Sequence, residues 1–124
     1  MTFLQPAMFA PPSDWRPTPV AQLPSWDGAR RVAVDVETYD PQLGDLGIGV
    51  RRGGYVVGVA FAVEDGPAFY LPVRHAGGDN LPEGAVWEYL RRECSRFPGS
   101  VVGANLQYDL DYLTEEGGEF KGAQ

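Results

Sequence analysis

The sequence predicts a small α/β domain in which a three-strand antiparallel meander is extended by a parallel strand and flanked by helices. Three apolar segments rich in β-branched or aromatic residues come first, and turn-forming residues separate them. Two segments with helical periodicity follow, and a short apolar run lies between these two. The predicted order is therefore β-β-β-α-β-α, and 124 residues are enough for one such domain.

The first strand is predicted over residues 31–37. Side chains alternate along a strand, so its valines face one side of the sheet and its two acidic residues, Asp35 and Glu37, face the other. The strand thus ends by placing two carboxylates on one face, where they repel each other unless a cation lies nearby.

Residues 54–63 and 68–73 are predicted to form a hairpin. Both segments are apolar, and Asp65-Gly66-Pro67 between them is typical of a turn. The preceding connection, residues 40–54, is rich in glycine and shows no helical pattern. A direct antiparallel connection from the first strand to this hairpin is therefore expected.

A helix is predicted over residues 83–97, after a loop that ends at Pro82. Its apolar residues recur at spacings of three and four and define one buried face, made of Val86, Trp87, Leu90, Cys94 and Phe97. A short buried strand is predicted over residues 100–104. Asn105 is expected to serve as N-cap of the last helix, which stops at Gly117-Gly118.

Residues 1–28 are predicted to form a separate N-terminal arm, because they hold six of the eleven prolines. An extended arm anchored by Trp15 and Trp26 and a flexible tail are both compatible with this composition. The predicted α/β domain itself is assigned to residues 29–124.

The net charge, the cysteine count and the lack of a long apolar run limit the classes of function that the sequence allows. The net charge of −7 argues against binding the phosphate backbone through a basic face, but it is compatible with an acidic centre that meets phosphate through divalent cations. The single cysteine, Cys94, cannot form an intramolecular disulfide and is interpreted as a core residue. No apolar run is long enough for a membrane span and no signal peptide is evident, so a cytoplasmic protein without a membrane partner is expected.

Three acidic residues are candidates for a metal site. Asp35 and Glu37 share a strand face, and carboxylate oxygens suit Mg²⁺ or Mn²⁺; the alternative is that both are simply solvated at a strand end. On the last helix Asp109 and Asp111 compete. The leucines at 106, 110 and 113 define the stripe expected to face the core, and Asp109 lies closer to it than Asp111 does. Asp109 is therefore placed at the seam between helix and sheet, and Asp111 in solvent.

The segments "VAVDVETYDP" and "VVGANLQYDLDYL", about seventy residues apart, resemble the first two motifs of the 3′–5′ proofreading exonuclease domain of family A DNA polymerases. The intervening "YVVGVAFAVEDGPAFYLPVRH" resembles the second and third strands of that domain, and "ETYDPQLGDLGIGVRRGGYVVG" is similar to the polymerases of bacteriophages. The resemblance covers about residues 30–124.

This resemblance implies a ribonuclease-H-like fold and hydrolysis of phosphodiester bonds with two Mg²⁺ or Mn²⁺ ions. By the same resemblance Asp35 bridges both metals, Glu37 holds one and orients the attacking water, and Asp109 holds the second. A further set is implied to contact the terminal nucleotide: Thr38, Asn105 and Tyr108. The implied partners are the 3′ end of single-stranded DNA and the remainder of a polymerase chain, and the implied location is the cytoplasm of the host cell.

The sequence departs from the family in one respect. The family's third motif, in which a Tyr precedes an Asp by four residues, does not follow Asp109. The chain is therefore expected to be a fragment of a longer polymerase, truncated at its C-terminus. Two alternatives remain: an RNA exonuclease similar to ribonuclease D, and a catalytically inactive fragment that binds nucleic acid or has a structural role.

The remaining polar candidates have simpler interpretations. His75 is interpreted as a structural loop histidine, and Arg91-Arg92 as the exposed face of a helix. Residues 51–54, "RRGG", are open to DNA contact or to a solvated strand edge. No nucleotide cofactor is assigned, because "GVRRGG" lacks the pattern of a mononucleotide phosphate loop.

Overall fold

The computed structural model describes residues 15–39 and 53–122, so most of the 40–54 connection, including Arg51 and Arg52, lies outside the described residues. The elements are a short 3-10 helix (Val20–Gln22), β1 (Arg31–Tyr39), β2 (Tyr55–Val63), β3 (Ala68–Pro72), α1 (Glu83–Arg96), β4 (Ser100–Val102) and α2 (Leu106–Glu115). Their order is the one that the sequence predicts.

The strands form a single four-stranded sheet in the order β3-β2-β1-β4. β1, β2 and β3 pair antiparallel, and β4 pairs parallel to β1. This confirms the predicted meander with its parallel extension, and the architecture agrees with a ribonuclease-H-like fold. The β1–β2 register shifts after Glu37, where Val57 is skipped, so a β-bulge lies next to the acidic end of β1.

The two faces of the sheet differ. The inner face is the one onto which Val32, Val34 and Val36 point, and all three are buried. The side chains of both helices join them in one core, which also contains the whole predicted apolar face of α1. The outer face carries the alternating residues of β1, including Asp35 and Glu37, which are exposed.

The helix α2 packs differently from the leucine stripe that the sequence suggests. Its buried residues are Asp109, Tyr112 and Leu113, whereas the leucines at 106 and 110 are only half-buried. The helix lies beside β1, so the face it buries is centred on the residues that reach that strand. Asn105 does occupy the N-cap position, but its side chain makes no capping hydrogen bond within the described residues. The helix stops at Gly117 with φ of 91°, as predicted.

Trp26 anchors the segment that precedes β1. Its side chain is 1% exposed and stacks on Phe120. Its indole Nε1–H donates to the Tyr89 hydroxyl at 3.0 Å, and its backbone N–H donates to the buried Glu93 carboxylate at 2.9 Å. These contacts join residues more than sixty positions apart, so they fix the segment before β1 against α1.

Arg74 ties the end of the meander to both helices. Its guanidinium donates to Glu83 at the start of α1 and to Glu116 just after α2, at 2.8 and 2.9 Å. It also donates to the Val56 carbonyl. The position of α2 relative to the sheet therefore depends on an ion-paired network as well as on apolar packing.

Candidate functional site

The parallel strand β4 is much shorter than β1, and this leaves part of one edge of β1 beyond its reach. In a strand, the backbone N–H and C=O groups of every second residue point to the same side. The Arg30 carbonyl accepts the Ser100 N–H at 2.9 Å, so the even-numbered residues of β1 point to this edge. β4 ends at Val102, and the N–H of Val36 lies past that end. Asp109 replaces the missing strand, because its Oδ1 accepts the Val36 N–H at 3.2 Å.

The other oxygen of this carboxylate is unpaired within residues 15–39 and 53–122. Asp109 is 1% exposed, and its Oδ2 finds no hydrogen-bond partner among the described residues. A Cβ added at Gly103 would lie 3.2 Å from this oxygen, so the glycine keeps the space beside it open. Burial raises the pKa of Asp109, the Val36 N–H opposes that rise, and the charge of Asp35 adds to it.

Asp35 is thus close enough to interact electrostatically with Asp109, although it reaches the site from the outer face. It borders an open depression of about 370 Å³ that Gly103 and Ala104 also line. Glu37 lies two residues along the same face and is exposed. The structure therefore brings Asp35 and Asp109 to the same edge of the sheet, with Glu37 beside them on the strand.

These residues suit a hard divalent cation in their chemistry. A buried carboxylate oxygen with no hydrogen bond carries a desolvation penalty that a cation offsets, and oxygen ligands are those preferred by Mg²⁺ and Mn²⁺. Within residues 15–39 and 53–122, no three His, Cys, Asp or Glu side chains already stand in an arrangement that holds a metal ion. Asp111 is turned away from this site, partly exposed, and accepts a hydrogen bond from Gln107 at 2.9 Å.

Of the three residues implied to contact a nucleotide, Thr38 and Tyr108 meet at the end of β1, and Asn105 lies at the start of α2. The hydroxyls of Thr38 and Tyr108 are hydrogen-bonded to each other, which links the end of β1 to α2. Asn105 is exposed, and its carbonyl accepts the Asp109 N–H at 3.1 Å. Their roles toward a substrate stay predictions.

Sequence analysis did not single out Tyr70, which lies on the outer face and is hydrogen-bonded to His75. Burial, followed by the charge of Glu37, raises the pKa of Tyr70 to about 12. The strand register places Tyr70 on the same face of the sheet as Asp35 and Glu37. A predicted register for the meander could therefore have identified Tyr70 as a neighbour of the acidic residues.

The chain resembles part of a phage DNA polymerase. It is 52% identical over 124 residues, which are 98% of the chain, to a "DNA-directed DNA polymerase" of Pseudomonas phage M6. The chain spans 19% of the length of that protein. No protein-family model matches the chain. Of the helices that the structure describes, none combines the length and the apolar character needed to cross a membrane.

Proposed function

We propose that the chain is part of the 3′–5′ exonuclease module of a phage-type DNA polymerase, dependent on Mg²⁺ or Mn²⁺ and acting on the 3′ ends of single-stranded DNA. The similarity to part of a phage DNA polymerase supports the parent protein. The order and spacing of the two acidic motifs support the exonuclease activity.

The observation that carries this proposal is the buried, unpaired Oδ2 of Asp109 at the edge where Asp35 also lies. Asp35, Glu37 and Asp109 are the residues that would hold the cations. When bound, a pair of divalent cations supplies activation of water and charge stabilisation at the leaving 3′ oxygen.

The protein's own contribution is positioning. The Val36 N–H fixes one oxygen of Asp109, and the other oxygen, which has no hydrogen-bond partner in the described part of the chain, can accept a cation. The hydrogen bond between Thr38 and Tyr108 holds α2 against the end of β1, so Asp109 and Asp35 keep their relative positions. The Thr38–Tyr108 pair at the end of β1 and the exposed Asn105 at the start of α2 are the groups that would orient a terminal nucleotide.

Cation binding tests the proposal directly. Titration of the 124-residue chain with Mn²⁺, followed by calorimetry or by the electron paramagnetic resonance signal of free Mn²⁺, is expected to show weak binding in the millimolar range. Asp35→Ala and Asp109→Asn are expected to abolish it, because each removes a ligand. Asp111→Asn is the matched control on the same helix and should bind like the unmodified chain. Equal binding by all four proteins would exclude the metal site.

A second candidate is a catalytically inactive fragment, because the Tyr-x-x-x-Asp pair of the family's third motif does not follow Asp109 in the 124 residues. On this ground we expect negligible hydrolysis of a labelled single-stranded DNA by the 124-residue chain. Robust Mn²⁺-dependent release of nucleotides from the 3′ end would contradict the inactive candidate. The same assay with an RNA of equal sequence separates the DNA exonuclease from an exonuclease similar to ribonuclease D.

A further inference from the structure

The outer face of the sheet carries an aromatic side chain two strands away from the acidic residues. Ala60 of β2 pairs with Asp35 on one side and with Tyr70 of β3 on the other. The Tyr70 ring leans across Gly58, which is the partner of Glu37, and a Cβ at Gly58 would overlap the Tyr70 hydroxyl. The absence of a side chain at Gly58 therefore lets Tyr70 reach toward Glu37.

Two more aromatic rings gather around Tyr70. His75 is hydrogen-bonded to its hydroxyl and lies edge-on to its ring, with centroids 5.6 Å apart. Trp15, which is 52% exposed, approaches with its centroid 6.4 Å away. Asn80 braces the loop that holds His75, because its side chain both accepts the His75 N–H and donates to the His75 carbonyl, at 2.8 and 2.9 Å. The histidine is thus fixed in place.

These rings border an open cavity of about 320 Å³ whose rim includes one cation, Arg16, and one acid, Asp79. Trp15 and His75 are exposed and Tyr70 is half-buried. Aromatic faces beside a guanidinium are the combination on which bases of single strands stack while the cation meets a neighbouring phosphate. β3 lies two strands from β1, which corresponds to about 10 Å. A short oligonucleotide spans that distance.

We propose that Trp15, Tyr70 and His75, with Arg16 at the rim, form a base-stacking subsite for single-stranded DNA on the face that carries Asp35 and Glu37. The inference rests on the proposed function, which puts the 3′ end at the acidic residues and an upstream nucleotide at this cavity. Stacking tolerates any base, so the subsite guides a strand without selecting its sequence.

The distribution of tryptophans provides the test. Trp26 and Trp87 are 1% and 4% exposed, whereas Trp15 is 52% exposed, so quenching of tryptophan fluorescence by an oligonucleotide reports mainly on Trp15. We expect saturable quenching when the 124-residue chain is titrated with a ten-nucleotide oligothymidylate at low salt in EDTA. The measurement is made without divalent cations, so it is independent of the metal site. A wild-type chain that shows no saturable binding overturns the subsite.

Three variants separate stacking from simple anchoring of the N-terminal segment, with binding followed by the anisotropy of a labelled oligonucleotide. Trp15→Leu retains an apolar anchor but has no aromatic face, and it should weaken binding about tenfold. Trp15→Phe retains the aromatic face and should restore most of the affinity. Tyr70→Leu should resemble Trp15→Leu. Wild-type affinity in both leucine variants, with folding verified by circular dichroism, overturns the inference.

A matched pair of charge variants tests the rim. Arg16→Gln should weaken binding and reduce its salt dependence, whereas Arg96→Gln, which removes an exposed guanidinium on α1, should leave both unchanged. Equal effects of the two substitutions would show that net charge alone matters and would overturn the role of Arg16.

Asp35→Asn should retain oligonucleotide binding in EDTA while losing Mn²⁺ binding, so failure of the subsite and failure of the metal site give different results.

Discussion

The inner and outer faces of the same sheet have opposite characters. On the inner face the three β1 valines are at most 7% exposed and pack with aromatic residues of α1 and of the segment before β1. On the outer face the same strand exposes Asp35 and Glu37 above neighbours as small as Gly58 and Ala60. The comparison teaches that folding stability comes mainly from one face, which leaves the other free to hold charged groups.

The largest effect is expected from a change on the inner side. Trp26→Ala removes a fully buried ring together with its hydrogen bond to Tyr89, and it should lower the free energy of unfolding by about 3–5 kcal/mol. Urea denaturation followed by far-ultraviolet circular dichroism measures this loss. Trp15→Ala is the control, since Trp15 is exposed, and should cost less than about 1 kcal/mol. Similar losses in the two variants would break the comparison.

An intermediate effect, an increase in the free energy of unfolding, is expected from a substitution at Asp109, which lies where the two faces meet. Its pKa in the folded protein is raised above the ordinary carboxyl value of 3.8, so the folded state holds the proton more tightly than the unfolded state. The bound proton therefore stabilises the folded protein fully below pH 3.8, the ordinary carboxyl pKa. This stabilisation is lost as the pH rises from there through the raised pKa of the folded state. Asp109→Asn, measured without divalent cations, should raise the free energy of unfolding at pH 7, because it removes a buried charge that the folded state holds unfavourably.

This gain should shrink below the ordinary carboxyl pKa, where Asp109 is itself uncharged. Denaturation curves of wild type, Asp109→Asn and the control Asp111→Asn at pH 3 and pH 7 measure the difference. A gain of the same size at both pH values, or an equal gain in Asp111→Asn, would argue against a raised pKa at Asp109.

The smallest effect is expected on the outer face. Asp35→Asn and Glu37→Gln should each change the free energy of unfolding by less than about 0.5 kcal/mol in EDTA, because both side chains are exposed. Thermal unfolding with added Mn²⁺ should nevertheless separate them from wild type, since a ligand that binds only the folded state raises its melting temperature. A large loss of stability in EDTA would show that these acids support the fold itself.

The meander, the face of α1 and the placement of Asp109 at the helix–sheet seam were predictable from local patterns. Alternation assigned the faces of β1, and spacings of three and four assigned Val86, Leu90 and Cys94 to the core, where all three are fully buried. The thiol of Cys94 has its pKa raised to about 12, mainly by burial, as expected for a core residue rather than a nucleophile.

The remaining features depend on contacts between distant parts of the chain. The hydrogen bond from the Val36 N–H to the Asp109 carboxylate joins residues 73 positions apart, and it exists because β4 is short, which no local pattern encodes. The burial of Tyr112, where Leu106 and Leu110 are only half-buried, follows from how α2 meets β1. The gathering of Trp15 and His75 around Tyr70 likewise requires the register of three strands and the path of a loop.

The length of β4 has a consequence for how this fold could vary. A strand extended by a few residues would supply a carbonyl to the Val36 amide, and the carboxylate of Asp109 would lose its only described hydrogen-bond donor. Val36 can therefore pair either with an extended β4 or with the Asp109 carboxylate, but not with both. An insertion after Val102 that completed the sheet would make it more regular and would release the Asp109 side chain from the Val36 amide.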